Sequence, residues 1–486
     1  MIRKQTKIVA TISDKRSTKE FLQELFENGV NVIRLNTAHQ QIEGAKEILK
    51  TARSISNNLA VLIDTKGPEV RTAASPEPLQ LTAGEYIDVL SLVKEHRGKH
   101  KELRVTYEHF AEEVPEGAQL LIDDGEIALS VEEKTPDSLI CKALNAGEIG
   151  SKKSVNTPGI HLDLPSLTEK DKEYIRFCRE EAVDFIAHSF VRTSQDIVDI
   201  KKLLGDRNDY TKIIVKIENQ EGVDNLRSIL TEAYGIMVAR GDLAIEIPPW
   251  EVPVIQKQMV NMCINRAQPV ITATQMLHSM IRNPRPTRAE INDVANAVFD
   301  GSDAVMLSGE TAYGNYPVES VKMMAKIIQN VELKKPSYVK NQPTEWRNPV
   351  QRYLAQSAHK AEEILPIKAI ITVTQWGSTA RLISSYRPGI PIYAKCTKEH
   401  TKRLLALQYG IYPSYVEKSE QASKTIYESL SELLSEGLMD EEDLVLIMGT
   451  DSKKSYAADR IEIKSIRGLI YEKRKQFDYA KVFTEM

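Results

Sequence analysis

Lys216 and Glu218 stand two residues apart in the apolar run Val215–Asn219, so on a strand both project to one side while Ile217 projects to the other. Alone, such a pair would be an ordinary ion pair. A second carboxylate, Asp242, follows one structural repeat later in the segment 239–243, Ala-Arg-Gly-Asp-Leu, where Gly241 leaves a backbone N–H open to an anion. Two oxygen ligands with room for water and phosphate oxygens match what Mg²⁺ accepts. Arg34, Arg71 and Lys216 supply positive charge opposite them. A phosphorylated carboxylic acid bridged to a divalent cation would suit this set.

These residues need a scaffold that gathers them. Short apolar runs, each followed by a helical pattern, recur at Lys7–Ile12, Val30–Asn36, Ala60–Thr65, Val183–Phe190, Lys212–Glu218, Gly235–Arg240, Pro269–Thr274 and Asp303–Ser308. Unbroken apolar strands alternating with helices imply a parallel sheet covered on both faces. Eight such units predict a (β/α)8 TIM barrel, whose catalytic groups sit at the C-terminal strand ends. An open doubly wound sheet is the alternative, but no GxGxxG follows the first strand. Charged or hydroxyl side chains stand at seven successive strand ends: Arg34 and Asn36; Asp64, Thr65 and Lys66; Ser189 and Arg192; Lys216 and Glu218; Arg240 and Asp242; Thr274 and Gln275; Ser308 and Glu310. Between the first two strands, Ser17–Glu20 reads as a capping box opening a helix that Gly29 closes.

The stretch between Thr65 and Val183 is too long for a barrel loop. Its short segments 79–81, 86–90, 119–122, 127–131 and 139–143, separated by Gly, Pro and acidic residues, predict a small inserted β-barrel acting as a lid. A polar, proline-bearing stretch after Glu332 reads as a linker, and strands near 368–373, 390–395, 411–416, 443–449 and 460–466 form a second α/β pattern. The expected layout is barrel at 1–67 and 162–335, lid at 68–161, and a C-terminal α/β domain at 350–486.

Composition narrows the classes. The chain has 486 residues, 42% hydrophobic and 27% charged, with 64 basic against 68 acidic residues and a net charge of −4. No excess of base points to nucleic acid or a membrane surface. Four separated cysteines give no zinc framework and read as reduced thiols of a cytoplasmic protein. No apolar run approaches the roughly 18 residues of a membrane span. The first apolar stretch turns polar at once and reads as a strand rather than a signal peptide.

Taken together, Val32–Asn36, Asp64–Thr72, Val215–Asn219, Gly235–Leu243, Thr272–Leu277, Asn283–Glu290 and Leu307–Ala312 resemble the motifs of the pyruvate kinase family, in order and spacing, from Thr6 to about Glu332. The resemblance is looser in the C-terminal domain. It implies phosphoryl transfer from phosphoenolpyruvate to ADP in glycolysis, with Mg²⁺ (or Mn²⁺) and K⁺. By this resemblance, Lys216 stabilises the transferring phosphoryl group. Glu218 and Asp242 hold Mg²⁺, and the N–H groups around Gly241 meet the substrate carboxylate. Arg34 and Arg71 engage phosphate, with Asn36, His39 and Arg71 on the nucleotide side. Thr274 lies on the proton-delivery path, and Asn36, Asp64 and Thr65 are K⁺ positions. A homotetramer is also implied.

Three departures qualify the match. Ala38 replaces a serine K⁺ ligand of the family, whereas Glu69 fits its K⁺-dependent branch. Thr193 stands where a basic residue is common, which weakens one nucleotide-phosphate contact. The effector loop is partly recognisable at Thr374–Thr379, where Ser378 and Thr379 begin a helix and would meet a phosphorylated metabolite, although a plain helix cap explains them equally. A tail, Arg467–Met486, follows the last strand, and its basic run at 473–475 reads as a solvated face. His161, His188 and His278 read as surface or core residues, Cys178 and Cys263 as core, and Trp376 as a packing or stacking group. A Mg²⁺-dependent lyase or aldolase barrel would use similar carboxylates without the lid or the 64–72 motif. A non-catalytic effector-binding descendant would not need Lys216, Glu218, Asp242 and Thr274 together.

Overall fold

The structure, a computed structural model, describes residues 3–38, 40–96, 98–334, 343–417, 422–450 and 458–470, with only the backbone at 422–425. Eight parallel strands close into a barrel: Lys7–Ile12, Val32–Asn36, Ala60–Asp64, Phe185–His188, Lys212–Ile217, Gly235–Ala239, Val270–Ala273 and Ala304–Leu307. All eight lie within the predicted runs, which overshoot by at most two residues at either end because rim and floor residues flank the pleated core. Every strand residue from Lys7 to Ile12 is buried, as the unbroken apolar pattern requires. Inside the ring pack Val9, Leu62, Phe185, Ile214, Met237 and Met306. A larger apolar shell joins the strands to the surrounding helices and includes Cys178 and Cys263. The cap of the first helix, Lys19–Glu27, is Thr18, one residue later than the predicted start of the box at Ser17. Ser17 instead donates to Asp14 O of the preceding short turn.

Between the third and fourth barrel strands, Val155–Asn156, Gln119–Ile122, Ile127–Lys134, Ser138–Ala143, Tyr86–Ser91 and Lys101–Val105 form one six-stranded sheet in that order. Segment 70–73 closes this sheet into a ring. Thr72 N donates to Lys153 O and Val155 N to Val70 O on one edge, while Ala73 N donates to Arg104 O and Thr106 N to Arg71 O on the other. Leu79–Leu81 and Gly147–Ile149 pair separately. Its core of Ile87, Val89, Phe110, Leu120 and Leu129 is its own. Lys101–Val105 was not among the predicted segments, because its charged residues hide the alternation.

The C-terminal sheet orders Ile411–Tyr415, Ile392–Cys396, Ile367–Thr374, Leu444–Gly449 and Arg460–Ser465 side by side, the last pair antiparallel. The end of helix Glu399–Leu405 and the chain just after it reach the barrel floor, where Leu404, Ala406 and Leu407 join the apolar cluster inside the ring. Two buried pairs fix this junction: Arg403 Nε to Asp184 Oδ1 at 2.7 Å, and Arg387 Nη2 to Asp303 Oδ2 at 2.7 Å. Among the described residues, no helix is long and apolar enough to cross a membrane.

Candidate active site

Lys216 ends its strand pointing into the rim with all three ammonium hydrogens near an acceptor. Nζ donates to Ser189 Oγ at 2.7 Å and lies 2.9 Å from Glu218 Oε1 and 3.4 Å from Asp64 Oδ1. Burial works against its charge, but Asp64, Glu218 and Asp242 outweigh burial and hold the lysine above its usual range. It therefore stays an ammonium in this site. Asp64 is buried too; Arg34 and Lys216 overcome the cost and keep its carboxyl below the ordinary range. Arg34 binds Asp64 Oδ2 through Nε and Nη2, both at 2.6 Å, and its Nη1 donates to Thr11 Oγ1 at 2.9 Å. A guanidinium locked by three bonds is a preorganised cation.

Glu218 is wholly buried, and burial pushes its carboxyl up to about 8 despite the Lys216 ammonium beside it. Its Oε2 accepts from Phe190 N at 2.7 Å, while Oε1 has no well-directed hydrogen bond. That buried oxygen, facing only the Lys216 ammonium and next to Asp242 on the neighbouring strand end, has lone pairs that a divalent cation would use. Among the described residues, no three His, Cys, Asp or Glu side chains form a ready metal cage. Two carboxylates with substrate and water completing the shell are consistent with that.

Thr274 adopts φ 66°, a left-handed conformation that a β-branched residue rarely takes. Arg240 Nη2 donates to Thr274 O at 2.6 Å and helps hold it there. The Thr274 hydroxyl donates to Ala273 O at 2.7 Å and accepts from Gly241 N at 2.9 Å, so the N–H expected to face a substrate carboxylate is engaged by Thr274. Asn36 Oδ1 accepts a local bond from Ala38 N at 3.1 Å. Next to it, the Thr37 hydroxyl is buried without a partner. Thr65 Oγ1 is engaged by the Ala187 carbonyl and by His188 Nδ1.

Arg71 stands apart from this cluster. Its guanidinium pairs with both oxygens of Glu69 at 2.8 Å and donates to Lys152 O at 2.6 Å. Glu69-x-Arg71 is the same two-residue spacing that joins Lys216 to Glu218, so this pairing was available from sequence. Thr193 starts the helix Ser194–Leu204, its N–H donating to Asp196 Oδ2 at 3.0 Å. His39 and residues 471–486 lie outside the described residues. His161 meets Glu221 at 2.8 Å and His188 is buried at its strand end. Ser378 and Thr379 begin the helix Ser378–Ser385 with Thr379 buried, and Lys398 Nζ sits 3.2 Å above the Trp376 ring. Between the inserted sheet and the rim lies a cleft of about 520 Å³ walled by Glu69, Asn156, Phe190, Asn219 and Glu246. Its wall residue Phe190 is the one whose N–H binds Glu218, and Asn156 Nδ2 donates to Glu246 Oε1 at 2.8 Å.

Sequence reading placed Ser189 on the rim but not as the hydrogen-bond partner of Lys216, and it missed the Phe190 N–H. A strand-end serine is the only signal the sequence carried for either.

A closed (β/α)8 barrel whose rim carries fixed cations beside a buried carboxylate pair has the parts a phosphotransferase uses. The family models agree: "Pyruvate kinase, barrel domain" matches residues 3–321 and "Pyruvate kinase, alpha/beta domain" residues 352–463. Pyruvate kinase of Borreliella burgdorferi is 45% identical over 476 residues, covering 97% of this chain and 99% of that one. Those of Sporosarcina psychrophila and Bacillus licheniformis are 43% and 42% identical, each across 91% of this chain and 77% of theirs. The chain belongs to the pyruvate kinase family. Its reaction is phosphoryl transfer from phosphoenolpyruvate to ADP, giving pyruvate and ATP in glycolysis.

Proposed function

We propose that the rim residues divide the work of this reaction as follows. Lys216 faces the transferring phosphoryl group, and Arg34, braced by Asp64 and Thr11, binds its oxygens. Glu218 and Asp242 would hold Mg²⁺ or Mn²⁺, which when bound neutralises charge between phosphate and substrate carboxylate. The N–H groups around Gly241 and the hydroxyl of Thr274 exchange their mutual bond for substrate, Thr274 lying near the methylene carbon that takes up a proton. Phosphoryl transfer is chiefly positioning and charge neutralisation, and a rim of preformed cations supplies both. The observation that supports this reading is the buried Lys216–Glu218–Asp64 cluster, in which Glu218 Oε1 has no well-directed hydrogen bond.

Asn36, His39 and Arg71 form the nucleotide side, Arg71 leaving Glu69 for phosphate. K⁺ is taken by Asn36, Asp64 and Thr65, with affinity weakened by Ala38. Residues 68–161 act as the lid on a barrel built from 1–67 and 162–335. Residues 350–486 form a regulatory domain in which Ser378 and Thr379 receive a phosphorylated metabolite. The working form is a cytoplasmic homotetramer that uses neither nucleic acid nor membrane as a partner. A coupled assay with phosphoenolpyruvate, ADP, Mg²⁺ and K⁺ tests the set. Each component should be required, and turnover without ADP or divalent cation would refute it.

A further inference from the structure

We propose that Ser189 is the positioning residue for Lys216, holding its ammonium toward the phosphoryl group through the reaction. The proposal rests on the assignment of Lys216 above. Of the three acceptors around Nζ, Ser189 Oγ is the nearest, at 2.7 Å. It is also the only hydroxyl among them, the other two being carboxyl oxygens. A carboxylate that holds an ammonium cancels part of the charge needed for phosphoryl transfer, whereas a hydroxyl holds it and leaves the charge in place. The other two holders have competing duties: Asp64 is bound through Oδ2 by Arg34, and Glu218 is the oxygen donor assigned to the divalent cation.

The hydroxyl is fixed in turn. Ser189 Oγ donates to Thr65 O at 2.7 Å, with Asp64 Oδ1 at 3.3 Å, and Ser189 N donates to Thr65 Oγ1 at 3.2 Å. With its proton committed to a carbonyl, the oxygen presents lone pairs to Nζ. Ser189 is buried, and the turn around it is crowded: a Cβ on Gly67 would sit 2.9 Å from Ser189 Cβ and from the Phe190 ring. Phe190, the next residue, is held at φ 55°, strained for a bulky side chain. That strain points its N–H at Glu218 Oε2. Two consecutive residues thus hold the two members of the Lys216–Glu218 pair, one by side chain and one by backbone.

The test is a double-mutant cycle on the full chain with Ser189→Ala, Lys216→Met and the double variant, each checked for an unchanged melting temperature. Ser189→Ala should lower kcat on the order of tenfold while the KM for ADP stays unchanged. In the Lys216→Met background the same substitution should change kcat less than twofold, because no ammonium remains to be held. Ser189→Cys, with a weaker acceptor of similar shape, should fall between parent and Ser189→Ala. An equal loss in both backgrounds would make Ser189 a structural residue only and overturn the proposal, as would parental kcat in Ser189→Ala. A near-parental Lys216→Met would instead refute the role of Lys216, and it is read from a separate variant.

Discussion

Both ends of the barrel bury aspartates against arginines, and the two ends treat them differently. At the floor, every carboxylate oxygen is satisfied. Asp184 Oδ1 takes Arg403, and Oδ2 takes Arg53 and Val61 N; Asp303 Oδ1 takes Tyr409 N, and Oδ2 takes Arg387 and Val270 N. At the rim, Asp64 holds Arg34 and Lys216 while Glu218 Oε1 meets only the Lys216 ammonium and no well-directed hydrogen bond, and Phe190, Thr274 and Gln275 sit at positive φ. Among Asp184, Asp303 and their arginine partners no backbone is so strained, with one exception, Arg387 at φ 53°. A buried charge network with all bonds made stabilises a fold; one left incomplete is ready to receive a ligand. The floor fastens the C-terminal domain to the barrel, and the rim holds charge in readiness.

The largest effect expected of that contrast is at the floor. Arg387 and Asp303 are almost completely buried, so Asp303→Asn leaves a guanidinium without its counter-charge. Removing one partner of such a pair costs about 3–5 kcal/mol. Thermal melting should fall markedly while kcat per folded enzyme stays near parental. Unchanged melting, or selective loss of kcat, would break the division between the two ends.

Acid should strike through His188, which burial pushes down to about 4. The unfolded chain then binds more protons than the folded one between about pH 6.5 and pH 4, so this group's stabilising effect is present above pH 6.5 and is lost as pH falls. Between pH 7 and pH 5 the loss is about 2 kcal/mol. Denaturant titrations of parent and His188→Gln at both pH values should show a shallower acid dependence in the variant; identical slopes would remove His188 from the account.

Asp242→Asn should raise the Mg²⁺ needed for half-activity at least tenfold, equivalent to about 1.4 kcal/mol, with melting unchanged. An unaltered metal titration would argue against direct ligation. The smallest effect concerns K⁺. Ala38→Ser should lower the half-activating K⁺ concentration by a few-fold, since a hydroxyl is a better oxygen ligand than the water that would take its place. Full activity of the parent in tetramethylammonium-balanced buffer would show that K⁺ is not needed.

Much of the rim was legible because parallel barrel strands are buried on both faces and read as apolar runs that stop where polar side chains begin. Lys216, Glu218 and Asp242 stood out for that reason. The floor was not legible. Asp184 and Arg403 lie 219 residues apart, and no periodic pattern links a strand start to a helix in another domain. Strand Lys101–Val105 escaped notice because its exposed Lys and Glu carry no apolar alternation. The Arg71–Glu69 pairing was also passed over, since the resemblance drew attention to the motif as a whole rather than to the two-residue spacing within it.

The central claim is that the rim's cations perform the transfer, and kcat of Lys216→Met measures it most directly. Methionine keeps much of the bulk and removes the ammonium. Loss of one preorganised charge should lower kcat on the order of 10²–10³ in the coupled assay, with the melting temperature close to the parent's. A kcat within a few-fold of the parent at an intact fold would contradict the account.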